Sequence, residues 1–191
     1  YCYNPDIVLG KGKLSFQDAL KFLKTRVNLL DGVVLSGGEC TLHKNIINLI
    51  IEIKKMGLLI KVDTNGTNPD MIEFLLKEKL IDYVALDFKA PTDKFKSITN
   101  SDLYSSFISS LKLLIGSAIP FEVRTTLHSS LLVQNDIQKM IDVLEKYDYK
   151  GSYYIQKFMN DTYTLSKIEN SKHNTINISS LNTKLSVVLR N

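Results

Sequence analysis

Four short clusters of polar residues in this 191-residue chain have the types and spacing to do chemistry. Ser36-Gly37-Gly38-Glu39 joins two glycines, which allow close backbone approach to a ligand, to a carboxylate able to accept from a cationic group. The same residues also fit a tight turn with a helix-capping glutamate. They form neither a Walker loop, since no Gly-Lys-Ser/Thr follows, nor a dinucleotide fingerprint, since G-x-G-x-x-G is absent. Asp63-Thr64-Asn65-Gly66 and Asp87-Phe88-Lys89 come next. The oxygens of Asp63, Thr64 and Asp87 suit a hard cation or a polar cofactor, and Lys89 suits a ligand carboxylate. A structural Asp–Lys pair beside an Asx turn at Asn65-Gly66 is the alternative. Arg124 is one of three arginines, and inside a strand it needs an acidic partner or a ligand. Cys2 sits in the turn-forming context Tyr1-Cys2-Tyr3-Asn4-Pro5; a lone cysteine is ordinarily a small, inert hydrophobe. Cys40 directly follows Glu39 and reads as a reduced bystander.

The elements that must position these residues are legible in the apolar pattern. Asp31–Ser36, Leu58–Thr64, Tyr83–Lys89, Phe121–Leu127 and Ser152–Phe158 are short β-branched runs, expected as strands covered on both sides. Helical spacing runs from Ser15, over Leu42–Met56, from Asn68 to about Lys79, over Asp102–Ile115 and over Gln134–Tyr147. The alternation predicts βαβ units, a parallel sheet and one domain over residues 1–191. Asp161–Ser180 lacks periodicity and is expected as a surface loop before a last apolar piece, Leu185–Leu189. In such folds the chemistry lies at the carboxyl ends of the strands. Ser36–Glu39, Asp63–Gly66 and Asp87–Lys89 fall at three of those ends, with Arg124 inside the fourth strand and Gln156 and Lys157 near the end of the fifth.

Hydrophobic residues at 44% and charged residues at 23% exclude a disordered or collagenous chain. No apolar run reaches the ~18 residues of a membrane span. The net charge is +4, with lysines placed all along the sequence, and is read as a solvated surface. A plain α/β domain that used this charge to bind RNA would show steep salt dependence. Two cysteines make no disulfide scaffold, so a reducing, cytoplasmic setting is expected. His43 and His128, near predicted loop ends, are read as structural or surface residues and His173 as exposed.

Taken jointly, Tyr1-Cys2-Tyr3-Asn4-Pro5, Ser36-Gly37-Gly38-Glu39, Asp63-Thr64-Asn65-Gly66 and Asp87-Phe88-Lys89 resemble the radical S-adenosylmethionine superfamily. Within it the pattern is most similar to activating enzymes of glycyl-radical proteins, especially those of anaerobic ribonucleoside-triphosphate reductase. The resemblance implies a partial (β/α)6 TIM-like barrel whose first strand and cluster loop lie largely upstream of these residues. It implies a 4Fe-4S cluster held by C-x3-C-x2-C, with Cys2 matching the third cysteine and the other two expected seven and three residues earlier. By that reading the 191 residues hold one cluster ligand of three and are inactive alone.

The resemblance also assigns roles. Glu39, with the backbone of Gly37 and Gly38, matches the strip that binds the methionine amino group. Asp63, Thr64 and Asp87 match a polar pocket that in activases can take a monovalent cation, and Lys89 and Arg124 match positions at the cofactor's carboxylate. Cys40 departs from the pattern, standing where many relatives have proline. The implied reaction is reductive cleavage of S-adenosylmethionine, with an electron from a flavodoxin- or ferredoxin-like donor, and abstraction of a glycine hydrogen by the 5′-deoxyadenosyl radical. No general base is required. Pyruvate formate-lyase as target, a small-molecule radical enzyme such as a deazaguanine-forming one, and a cluster-less cofactor-binding module are the alternatives. Two cysteines at the stated upstream spacing separate the last from the others.

Overall fold

The computed structural model describes residues 5–10, 12–172 and 176–190, so Cys2 and His173 lie outside the described residues. Six strands, β1 (Gly32–Leu35), β2 (Leu59–Thr64), β3 (Tyr83–Asp87), β4 (Phe121–Leu127), β5 (Tyr153–Lys157) and β6 (Val187–Arg190), form one sheet. Every neighbouring pair is parallel and the spatial order is the sequence order. The helices are α1 (Pro5–Leu9), α2 (Phe16–Lys24), α3 (Ile46–Lys55), α4 (Pro69–Lys77), α5 (Thr92–Thr99), α6 (Tyr104–Ile115) and α7 (Gln134–Lys146).

Local sequence explains where helices begin. Ser15 and Asp18 form a reciprocal capping box at α2, with backbone N–H to side-chain distances of 3.1 and 3.0 Å. Asn68 caps α4 through the Met71 N–H, and Pro69 takes a first-turn position where its missing donor is harmless. Ile50, Ile53, Ile72, Leu75, Leu111, Leu114, Ile137 and Ile141 from α3, α4, α6 and α7 are buried against the sheet. Each side chain fully withdrawn from water contributes about 1.5–3 kcal/mol.

The two faces of the sheet differ. On β2, Ile60, Val62 and Thr64 are buried beneath the helices, while Lys61 and Asp63 point to the other face. On β4, Val123, Thr125 and Leu127 are buried, and Glu122, Arg124 and Thr126 alternate with them. β2 and β4, expected to be covered on both sides, thus carry charged residues on the face opposite the helices. Three elements also exceed the expectation, the first being the short helix α1 ahead of Ser15. The apolar piece near the end pairs with β5 as β6, and α5 forms after Pro91 around one buried side chain, Phe95.

Among the described residues between β5 and β6 the only regular element is a 3-10 turn at Ile178–Ser180, yet the stretch is tied down. Asn160 pairs with both backbone groups of Ser171 at 2.8 and 2.9 Å, and a His128 ring nitrogen lies 2.7 Å from the Glu169 carbonyl.

Candidate functional site

The turn after β1 is built on two glycines with left-handed backbone, Gly37 (φ 100°) and Gly38 (φ 43°). A Cβ at Gly38 would meet nothing within 4 Å, so the backbone there faces open space. The Glu39 carboxylate, by contrast, is committed. Oε1 accepts from the Thr64 hydroxyl (2.7 Å), the Thr41 hydroxyl (2.6 Å) and the Thr41 N–H (3.2 Å), and Oε2 accepts from the Asn65 N–H (2.7 Å). Thr64 Oγ1 in turn accepts from the Gly66 N–H at 3.0 Å, and the Asn68 side chain donates to the Thr41 carbonyl at 2.8 Å. Glu39 therefore latches the loop after β1 to the loop after β2. What the turn leaves open to a ligand is its backbone.

Asp63, Asp87, Lys89 and Arg124 meet on the polar face of the sheet. Asp87 and Arg124 are register partners on β3 and β4, and the Arg124 Nε donates to Asp87 Oδ1 at 2.5 Å. The same guanidinium reaches across β3, over the small side chain of Ala85, to donate from Nη2 to Asp63 Oδ2 at 3.0 Å. Lys89 Nζ donates to Asp87 Oδ2 at 2.9 Å. Burial acts to raise the Asp87 carboxyl, but Lys89 and Arg124 outweigh it and hold its pKa below the ordinary carboxylate value. Burial likewise acts to lower the Arg124 pKa, and Asp87 and Asp63 more than reverse that.

Thr64 does not share this pocket. It lies on the opposite face of β2 from Asp63 and serves Glu39. Three of the four oxygens of Asp63 and Asp87 are engaged by Arg124 and Lys89. The fourth, Asp63 Oδ1, is buried without a hydrogen bond and lies 3.5 Å from Lys61 Nζ, an ion-pair distance only. A hard cation needs several free oxygens at once. The expected monovalent-cation pocket does not fit this arrangement, because the Arg124 guanidinium supplies the positive charge there.

Three further charged residues belong to the same face and were missed from sequence. Glu122, 6% exposed at its side chain, is bound by both Nη atoms of Arg190 at 3.2 and 2.9 Å, and Lys61 lies 3.9 Å away. The Arg190 guanidinium lies 3.3 Å from the Tyr154 ring centroid on its way across β5. Arg124 thus spans β4 to β2 and Arg190 spans β6 to β4, tying five strands on the polar side. Strand alternation carried the signal for two of the three: Lys61 and Glu122 each stand two residues before a residue already singled out.

The remaining expected positions are structural. Cys40 is buried, donates weakly to the carbonyls of Leu35 and Asp63 at 3.5 Å each, and has a thiol that burial, then Glu39 and Asp63, push up to about 12. It is therefore a poor thiolate ligand. Among the described residues no group of three or more His, Cys, Asp or Glu is placed to hold a metal ion. His43 is exposed, its ring tilted against Phe16 at 4.8 Å between centroids, and His128 is buried against Phe158. Gln156 and Lys157 end β5, away from any bond to the Arg124 cluster.

Residues 1–146 match the Radical SAM superfamily, and the chain belongs to that family. It is 35% identical over 134 residues to a protein of Methanocaldococcus jannaschii named "Putative glycyl-radical enzyme activating enzyme", an alignment covering 67% of this chain and 55% of that one. The chain thus spans about half the length of this curated relative. In fold it is similar to SuiB of Streptococcus suis, with a TM-score of 0.71 at 14% identity over 96% of this chain and 45% of the other. It is also similar to a domain of pyruvate-formate lyase-activating enzyme from Bacteroides vulgatus, with a TM-score of 0.58 at 14% identity over 71% of this chain and 86% of that one. The parallel six-stranded sheet is accordingly the partial barrel of radical SAM type. Among the described residues no helix is long and apolar enough to cross a membrane.

Proposed function

We propose that the protein is a cytoplasmic activating enzyme, built on a single domain over residues 1–191, that forms a glycyl radical on anaerobic ribonucleoside-triphosphate reductase. Membership of the family implies S-adenosylmethionine and a 4Fe-4S cluster. The observation that carries the reading is the co-location, at the carboxyl ends of consecutive parallel strands, of an open diglycine turn and a buried charged ladder. The relative from M. jannaschii, by its name, supports activation of a glycyl-radical enzyme over small-molecule chemistry. Pyruvate formate-lyase is the second candidate partner, favoured by the fold likeness to the B. vulgatus domain.

The residues present fit a ligand that carries both an ammonium and a carboxylate. The backbone of Gly38 faces open space beside Glu39, which holds the turn in place without facing the ligand. The orphaned Asp63 Oδ1 is a ready acceptor, and Lys89 and Arg124 place positive charge alongside. Cys2 would be one cluster ligand. The cofactor and cluster supply, when bound, one-electron cleavage of a sulfonium carbon–sulfur bond and the ensuing hydrogen-atom abstraction. The chain's own residues orient the cofactor, keep its charged end paired and exclude water. No residue here has to move a proton, in line with the burial of His128 away from the Arg124 cluster.

The test uses the full-length protein reconstituted anaerobically with iron and sulfide. With S-adenosylmethionine, a reductant and anaerobic ribonucleotide reductase, electron paramagnetic resonance should show a glycyl radical. A radical formed only on pyruvate formate-lyase would transfer the assignment to the second partner. Turnover of a small molecule without a protein radical would overturn it.

A further inference from the structure

Lysines run along the whole chain, but the charge balance does not. Residues 11–26 contain five basic side chains (Lys11, Lys13, Lys21, Lys24 and Arg26) and one acidic one (Asp18). That is a net of +4, and the other 175 residues carry 19 charges of each sign, so this short segment holds the entire net charge of the molecule. Elsewhere several cations are neutralised by neighbours, as in Lys54 with Asp82, Lys94 with Asp136 and Lys139 with Asp93. Lys13, Lys21, Lys24 and Arg26 are exposed, and among the described residues none of them is ion-paired to a carboxylate.

Two large apolar side chains stand among these cations. Leu14 is 76% exposed and Phe22 58%, with the Arg26 guanidinium 5.3 Å from the Phe22 ring centroid. Exposed large apolar side chains in one segment with unpaired cations are a combination met at protein–protein interfaces. A face for duplex nucleic acid would be more polar and more strongly basic than this one. A membrane-surface helix would lay its apolar stripe in the lipid, whereas that stripe of α2 (Phe16, Leu20 and Leu23) is packed on the core. The helix that carries the patch also reaches the site, since the Phe16 ring of α2 lies 4.8 Å from that of His43, just past the Glu39 turn.

We infer that the exposed face of α2 docks an acidic protein and, resting on the function proposed above, that this protein is the one-electron donor. In the transfer the donor's reduced cofactor loses one electron and the cluster gains it, with no bond made or broken. Long-range attraction between the patch and an acidic surface speeds encounter and weakens with salt.

The experiment measures the affinity of an acidic flavodoxin for the full-length protein by isothermal titration at low and high salt, for wild type, K21E/K24E, F22S and the control K77E/K150E. Lys77 and Lys150 are exposed and lie outside the segment, so the control makes the same change in net charge. K21E/K24E should weaken binding at least about tenfold and flatten its salt dependence. F22S should weaken it with the salt dependence kept, and the control should bind like wild type. An unchanged affinity in K21E/K24E, or an equal loss in the control, overturns the inference. So does wild-type binding to RNA or to phosphatidylserine vesicles that K21E/K24E abolishes while flavodoxin affinity stays the same. Cleavage of S-adenosylmethionine driven by dithionite is followed in parallel and should be equal in all variants. Its absence from the wild type would defeat the proposed function while leaving the docking result standing.

Discussion

Replacing Arg124 by Met tests the charged ladder most sharply. Removing one partner of a buried ion pair commonly costs about 3–5 kcal/mol, because a charge is left uncompensated. Here each carboxylate keeps a second cation: Lys89 stays 2.9 Å from Asp87, and Lys61 stays 3.5 Å from Asp63. The Arg124, Asp63 and Asp87 side chains are 16%, 14% and 23% exposed, so residual solvation softens the loss further. The expected cost is about 2 kcal/mol, below the range for a stranded charge. For a chain of this size that corresponds to a fall of about 4–8 °C in the thermal midpoint. Arg124→Lys should fall between, since an ammonium cannot serve two carboxylates as a planar fork does. Urea titration followed by circular dichroism gives the free energies, with an unchanged slope expected. A double-mutant cycle with Asp63→Asn should return a coupling of about 1 kcal/mol or more. A destabilisation of R124M within about 0.5 kcal/mol, the range of an ordinary surface change, would refute the reasoning.

Four other outcomes are expected. Because the Asp87 pKa is depressed in the folded state, its pairing stabilises at neutral pH and is lost as pH falls below the ordinary carboxylate value of about 4; urea midpoints should show this acid limb and D87N should reduce it. With its thiol near 12, Cys40 should alkylate about three orders of magnitude more slowly than a free cysteine at mildly alkaline pH, read by peptide mass mapping, and fast modification would show the site to be open. Gly66→Ala would place a Cβ 2.8 Å from a Leu86 methyl at φ 71°, costing about 2 kcal/mol in a thermal melt, and a neutral result would mean the loop yields. Glu39→Ala should weaken S-adenosylmethionine binding by about tenfold and loosen the loops after β1 and β2, seen as faster amide exchange at Asn65 and Gly66. Weaker binding with unchanged exchange would instead make Glu39 a direct ligand.

Much of this arrangement was legible in the sequence because the local and global signals agree. The runs from Leu58, Tyr83 and Phe121 became β2, β3 and β4, and polar residues at their ends met because parallel strands in sequence order bring those ends together. The roles of individual side chains were less legible. Asp63 and Thr64 are adjacent in sequence, so strand alternation sends them to opposite faces and into different clusters. Whether Glu39 faces a ligand or a hydroxyl depends on Thr41 and Thr64, whose positions follow only from packing. Helix α5, TDKFKSIT, carries one buried residue and no apolar stripe, so periodicity passed over it. β6 is four residues long and follows a stretch with no rhythm; its Arg190 acquires meaning only once it reaches Glu122 across β5. The even spread of lysines concealed an uneven balance, because residues 11–26 hold five basic side chains against one acidic one, Asp18.

The central claim is that this chain belongs to an activase whose hydrogen acceptor is derived from S-adenosylmethionine and whose donor is a protein glycine. The direct measurement feeds the full-length enzyme anaerobic ribonucleotide reductase labelled with α-deuterated glycine, and analyses 5′-deoxyadenosine by mass spectrometry. The account predicts one deuterium in the product, matched by a glycyl radical on the reductase. Unlabelled 5′-deoxyadenosine formed at full rate, with no protein radical, would contradict it.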